Sequence, residues 1–213
     1  MINKPVIVLG AGGHSQVLVD ALRTLAIEII GITDPDNNLH GKDILGIPVI
    51  GDDEIILKYN NNKIMLVNGL GVVNRTNKRR EVYETFKQKG YLFRSVIYPQ
   101  SIVSPSVALG EGVQVMAGAV VQAASFIGTN SIVNTGACID HDCIIGQHVH
   151  IAPGVTISGG VSINDGVLIG AGSTVIQGIN IGANSIVAAG AVVINDVYPN
   201  SIVMGVPARE ANK

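Results

Sequence analysis

The chain has 213 residues, a formal net charge of −2 and charged side chains at only 14% of its positions, against roughly 25% in an average soluble protein. That balance gives no global basic field to attract nucleic acid or an anionic membrane, and no apolar run reaches the roughly 18 residues that a spanning helix needs. With so few charges on its surface, self-association is expected to cover part of it.

Taken from the N-terminus, "PVIVLG" (5–10) lacks the cleavage pattern of a signal peptide and reads as a buried strand. "HSQVLVDALRTL" (14–25) repeats apolar residues at spacings of three and four, which predicts an amphipathic helix. "IEIIGITD" (27–34) and "NKIMLVNGLG" (62–71) read as further strands, and "NKRREVYETFKQKG" (77–90) as a charged helix that Gly90 closes with a left-handed cap. Alternating strand and helix predicts an α/β fold, a small Rossmann-like parallel sheet over residues 1–95.

Between the first strand and the first helix, "GAGGHS" aims backbone amides at a phosphate or another polar group. Asp34 ends the second strand, where a dinucleotide fold reads a ribose hydroxyl. The third glycine of G-x-G-x-x-G is Ser15, however, and roughly 95 residues make half of a dinucleotide-binding domain. The segment therefore reads as a nucleotide-sugar site, with Gly12, Gly13 and His14 around the phosphates or sugar and Asp34 and Pro35 near the base. Basic "NKRRE" reads as a solvated helix face.

From Ile97 the pattern changes. Steps of six land on Ile97, Val103, Leu109, Val115, Val121, Ile127, Val133, Ile139, Ile145, Ile151, Ile157, Ile163, Ile169, Val175, Ile181, Val187 and Val193, seventeen aliphatic residues without a slip. A period of six matches neither the 3.6 of a helix nor the 2.0 of a strand; it matches a hexapeptide solenoid. Each hexad makes one short strand and a corner, and three hexads close a triangular coil. The large aliphatic residue points into the prism, and the small residue two places before the next one (Ser125, Ser131, Ala137, Cys143) fits inside the corner. Coils stack at about 4.8 Å. This all-β solenoid is expected over 96–198, with 199–213 as a tail.

A coil of 18 residues sets His141 one rung from Gly159. A side-chain base then lies beside an amide that no Cβ shields, which is what acyl transfer needs: one group takes a proton and the other stabilises an oxyanion. His150 lies half a coil from His141 and faces another edge, so in a three-fold trimer the two meet across a subunit boundary. Cys143 reads as a buried filler, and His148 and Asp140 as surface residues. Cys138 and Cys143 have neither metal-site nor disulfide-framework spacing, which fits the cytoplasm.

"GAGGHS", "VNGLGVVNRTNKRREVY", "IDHDCIIG" and "HIAPG" resemble bacterial nucleotide-sugar N-acetyltransferases of the hexapeptide-repeat acyltransferase superfamily. The group acetylates UDP-4-amino-6-deoxy sugars and is related to the sialic acid O-acetyltransferase type. The resemblance covers nearly the whole chain and implies a left-handed parallel β-helix, a homotrimer with active sites between subunits, acetyl-CoA as co-substrate and a role in glycan biosynthesis. It also implies that His141 is the general base with Asp142 as its helper, that the Gly159 N–H receives the oxyanion, and that His150 contacts acetyl-CoA across the boundary. Ala171 and Ala189 would line the pantetheine arm, Pro207, Ala208 and Arg209 the nucleotide end of the coenzyme, and Asn134 the substrate side. These enzymes often carry Glu where this chain has Asp142, so the shorter arm puts the helper's reach in question. Gamma-class carbonic anhydrases use the same solenoid to hold zinc with three histidines. Here His148 and His150 share one hexad and no later coil supplies a third ligand, so no metal is expected. O-acetylation of a sugar hydroxyl and a non-catalytic nucleotide-sugar binder remain as alternatives.

Overall fold

The computed structural model describes residues 4–72 and 77–211. Contacts divide the chain into two compact units, Met1–Pro99 and Gln100–Lys213. Residues 73–76 of the "VNGLGVVNRTNKRREVY" stretch lie outside the described residues.

The first unit runs β1 (Val6–Leu9), α1 (Gly13–Thr24), β2 (Ile29–Thr33), β3 (Asp43–Ile44), β4 (Ile47–Gly51), β5 (Met65–Asn68) and α2 (Lys78–Gln88). The sheet order is β3-β4-β2-β1-β5, parallel except for the β3–β4 pair. β1 is buried at all four positions, as a central parallel strand with both faces covered must be. Ile7, Leu9 and Leu66 pack there against Ile56, Tyr83, Phe86, Tyr91 and Phe93.

Strict alternation of strand and helix fails between β2 and β5. The chain makes the β3–β4 hairpin and two 3-10 turns there, Asn37–Leu39 and Asp53–Lys58. Local side chains explain why: Asp36 accepts the Asn38 N–H, Asp52 the Glu54 N–H and Asn60 the Asn62 N–H. Such short polar side chains offer the backbone an alternative to helical bonding.

The second unit is a parallel β-helix of two-residue strands. The coil is 18 residues throughout its middle: Val120 pairs with Cys138, Cys138 with Thr156 and Thr156 with Thr174 on one face. Phe126 pairs with Ile144 on a second face, and Ile132 with His150 on a third. From Val115 to Val193 every sixth residue is buried, with none more than 2% exposed. At about 1.5–3 kcal/mol for each buried aliphatic side chain, this column stabilises the solenoid along that whole length. Val103 and Leu109, in the first coil, are half-buried.

The corners follow the same period. Positive-φ residues fall at 112, 130, 148, 166 and 184, at 118, 136, 154, 172 and 190, and at 124, 142, 160 and 178. Each column marks one edge of the triangle, where the chain needs the left-handed conformation to turn. Glycine adopts it without a steric cost. In the last column Gly160 and Gly178 do so, whereas position 142 is an aspartate.

Past the regular coils, Ile202–Met204 pairs in parallel with Ile186–Val187, and Arg209–Glu210 folds back antiparallel on it. The tail thus continues a sheet of the solenoid rather than leaving it.

Candidate active site

His141 and Asp142 occupy the corner between Cys138–Ile139 and Ile144–Ile145. Their side chains are 54% and 66% exposed, and His141 Nδ1 lies 2.7 Å from Asp142 Oδ2. The shorter acid therefore does reach the ring, and the left-handed backbone at Asp142 (φ 58°) is what brings it there. Aspartate costs about 1 kcal/mol or more in this conformation relative to glycine, so a polar contact replaces the easy turn used by the next two coils. Asp140 acts differently, its Oδ1 accepting the His141 backbone N–H at 2.8 Å. One acid orients the ring and the other fixes the backbone beneath it.

With Nδ1 bound to Asp142, Nε2 is left to accept a proton. The hydrogen bond that Nδ1–H donates to Asp142, with the Asp140 charge nearby, holds the imidazole above its ordinary value of about 6.5. A base works in its neutral form, so the raised value sets an acid limb in any reaction that uses it. Asp142→Asn should move that limb of kcat/KM to lower pH and reduce the plateau rate by roughly an order of magnitude. A pH–rate profile of the variant checks both.

Gly159 lies one coil on. A Cβ there would stand 2.6 Å from His141 Cε1 and 2.7 Å from Nε2, so the imidazole rests directly on the glycine. The flanking amides are used by the ladder, Ser158 N–H donating to Val175 and Gly160 N–H to His141. His141 and Gly159 therefore share one corner, as the 18-residue spacing predicts.

The other expected residues gather at a different corner. Asn134 Nδ2 lies 3.3 Å from His150 Nε2, and His150 is 8% exposed, on the face where it pairs with Ile132 and Leu168. Ala171 and Ala189 are exposed and stacked, with the Gly190 N–H donating to the Ala171 carbonyl at 2.9 Å. Pro207 and Arg209 are exposed beyond them; Val192 N–H donates to the Gly205 carbonyl and Ala208 N–H to the Val192 carbonyl. Within one chain His141 and the Ala171–Ala189 column thus belong to separate edges of the triangle.

His148 is half-buried rather than solvated, its Nδ1 3.0 Å from Asn130 Nδ2. Among the described residues no three His, Cys, Asp or Glu side chains gather in a metal-binding group.

In the first unit, Gly12 and Gly13 open α1, are exposed, and would meet nothing within 4 Å if they carried a Cβ. Asp34 braces this loop. Its Oδ2 accepts the Ala11 N–H at 2.7 Å, its Oδ1 accepts the Asp36 N–H at 2.9 Å, and its carbonyl accepts from His40 Nε2 at 2.8 Å. Pro35 is exposed beside it. Ser15, in the place of the third glycine, is buried and bonds the carbonyls of Gly10 and Gly69, closing the glycine loop on the end of β5.

The basic helix is not uniformly solvated. Arg80 pairs with Glu84 at the surface, but Arg79 is 3% exposed. Its Nη1 donates to the carbonyls of Asn68 (2.8 Å) and Leu70 (2.7 Å), and Asn68 Nδ2 donates back to the Arg79 carbonyl. Burial lowers the guanidinium to about 9. Arg79 ties α2 to the 68–70 loop, whose Gly69 carbonyl accepts from Ser15. The signal for it is the spacing Arg79, Tyr83, Phe86, three residues on the buried face of α2.

Comparison with known proteins agrees with both halves. A family model described as the PglD N-terminal domain matches residues 5–86, and one described as a hexapeptide repeat of succinyl-transferase matches residues 160–194. A histidine-to-alanine variant of GDP-perosamine N-acetyl transferase from Caulobacter crescentus, in complex with CoA and GDP-perosamine, is 36% identical with a TM-score of 0.91, over 98% of this chain and 97% of that one. The acetyltransferase domain of PglB from Neisseria gonorrhoeae, in complex with acetyl coenzyme A, is 34% identical with a TM-score of 0.90, over 98% and 100%. WeeI from Acinetobacter baumannii shares the fold at 24% identity, with a TM-score of 0.87 over 97% and 99%. No curated protein sequence matches the chain.

Proposed function

The chain belongs to the bacterial sugar acetyltransferases of the hexapeptide superfamily that carry a PglD N-terminal domain, and from that premise we propose that it moves the acetyl group of acetyl-CoA to the amine of a nucleotide-linked 4-amino-6-deoxy sugar. The observation that carries this reading is the imidazole of His141 resting on Gly159, with Asp142 on its far nitrogen.

The steps follow from that arrangement. The sugar amine attacks the thioester carbonyl, and the oxygen gains charge that the Gly159 N–H stabilises. His141 Nε2 takes the amine proton as the C–N bond forms, while Asp142 stabilises the imidazolium from Nδ1. The C–S bond breaks, and the proton held by His141 goes to the departing thiolate, which leaves as coenzyme A. In the first unit, Gly12, Gly13 and His14 receive the phosphates or sugar, and Asp34 and Pro35 lie toward the base. The bare, exposed glycines at the start of α1 suit the close approach of an anion.

The coenzyme runs along the Ala171–Ala189 column toward Pro207 and Arg209 of a neighbouring chain, beside the His150–Asn134 pair. Base and coenzyme column lie on different corners of one chain, which suits a homotrimer with its sites between subunits. Low charge and exposed Ile102, Phe126 and Ile144 on the solenoid support the same assembly. Among the described residues no helix is long and apolar enough to cross a membrane, and Cys138 and Cys143 are free thiols, which fits the cytoplasm.

The test uses purified protein, acetyl-CoA and a panel of UDP-, dTDP-, GDP- and CMP-linked sugars carrying either an amine or a hydroxyl at C4. Mass spectrometry is expected to show the acetyl group on the amine of one nucleotide series. The same ligand at 100 times its Kd should stabilise the fold by about 2.7 kcal/mol. Acetylation of the hydroxyl analogue, with the amine inert, would move the assignment to O-acetylation. Binding without turnover would leave a nucleotide-sugar sensor.

A further inference from the structure

We propose that Ser125 and Cys143 are positioning residues, stacked inside the solenoid behind His141, that fix the base over Gly159. The inference rests on the reading of His141 as the base. Ser125 is 2% exposed and sits at the inner corner position one coil before Cys143. Its Oγ donates to the Asp140 carbonyl at 2.9 Å and accepts the Cys143 N–H at 3.1 Å. One hydroxyl thus closes both ends of the turn that carries His141 and Asp142.

Cys143 makes the next link. Its Sγ lies 3.6 Å from the His141 carbonyl and 3.3 Å from the carbonyl of Ser158, the residue before Gly159. A single S–H shared by these two acceptors joins the coil of the base to the coil of the oxyanion amide. Burial pushes the thiol up, so it keeps its proton near neutrality and acts as a donor. Four of the equivalent places in nearby coils hold Ala137, Val149, Val155 and Val161, all fully buried or nearly so. These side chains fill the corner but donate nothing, so at Cys143 the residue does more than fill space.

The repeat supplies its own control. Ser131 braces another corner in the same way, donating to the Gly146 carbonyl at 2.9 Å and accepting the Val149 N–H at 3.0 Å. That corner carries His148, which the mechanism does not use. Ser125→Ala and Ser131→Ala should therefore lose similar stability and differ in activity.

The experiment measures kcat, both KM values and Tm for Ser125→Ala, Ser131→Ala, Cys143→Val and Cys143→Ser, with His141→Ala alongside. A displacement of the base by a fraction of an ångström should lower kcat roughly tenfold in Ser125→Ala and Cys143→Val, with both KM values unchanged. Cys143→Ser keeps a donor and should restore kcat to within about twofold of the parent. Ser131→Ala should lower Tm as Ser125→Ala does while keeping the parental kcat. Equal kcat in the two serine variants, or parental kcat in Cys143→Val, would overturn the brace while a dead His141→Ala still upheld the base. Parental turnover in His141→Ala would overturn both.

Discussion

Replacing His141 by alanine is expected to lower kcat by about 10²- to 10⁴-fold while both KM values stay near those of the parent. In the proposed mechanism the ring acts on the proton that leaves the amine as the C–N bond forms, an interaction made in the transition state and absent when substrates merely bind. Loss of such an interaction lowers kcat and kcat/KM together. The fold should be indifferent, because the His141 side chain is 54% exposed and its partner Asp142 is 66% exposed. Steady-state kinetics beside a thermal melt separates the two effects: a large fall in kcat with an unchanged Tm identifies the base. A variant with near-parental turnover would remove His141 from the mechanism.

Gly159→Ala should be nearly as damaging although it deletes nothing. The added methyl carbon would stand 2.6 Å from Cε1, 2.7 Å from Nε2 and 3.1 Å from Nδ1 of His141, well inside the roughly 3.5–4.0 Å of a carbon–carbon contact. The ring is exposed and can swing outward, so the protein should fold; the backbone at 159 is not left-handed and accepts alanine. In the proposed mechanism the displaced imidazole would no longer meet the amine, and a shift of about 1 Å is enough to cost on the order of 100-fold in kcat. The N–H itself remains, so the fall reports lost space above the glycine. Kinetics with a circular-dichroism melt checks the pair: low kcat and an intact transition.

The solenoid is legible in the sequence because its core allows no variation. An inward aliphatic residue every six positions and a coil of three hexads leave one register, and that register alone places Gly159 under His141. The glycine loop, the first and last strands of the small sheet and the helix ending at Gly90 are legible for the same reason, since short-range pattern determines each. The β3–β4 hairpin is not, because its strands are short and Asx-type bonds at Asp36, Asp52 and Asn60 interrupt any period. Arg79 reads wrongly as solvated: charge suggests surface, but its spacing to Tyr83 and Phe86 places it on the buried face, where backbone carbonyls replace water. The separate roles of Asp140 and Asp142 depend on a positive φ that composition does not announce, although the glycines at 160 and 178 mark the column. Cys143 reads as a filler because the repeat makes every residue at that place small or apolar; its bonds to two carbonyls exist only once the coils stack.

In the proposed mechanism one corner puts imidazole and glycine in contact so that they act as a unit. The most direct test of that unit is a double-mutant cycle on kcat/KM with His141→Ala, Gly159→Ala and the double variant. If the methyl group acts by displacing the ring, it has nothing left to displace once the ring is gone, and the double variant should be no slower than His141→Ala alone. A double variant slower by the full product of the two single losses would show the positions acting independently and contradict the geometry proposed here.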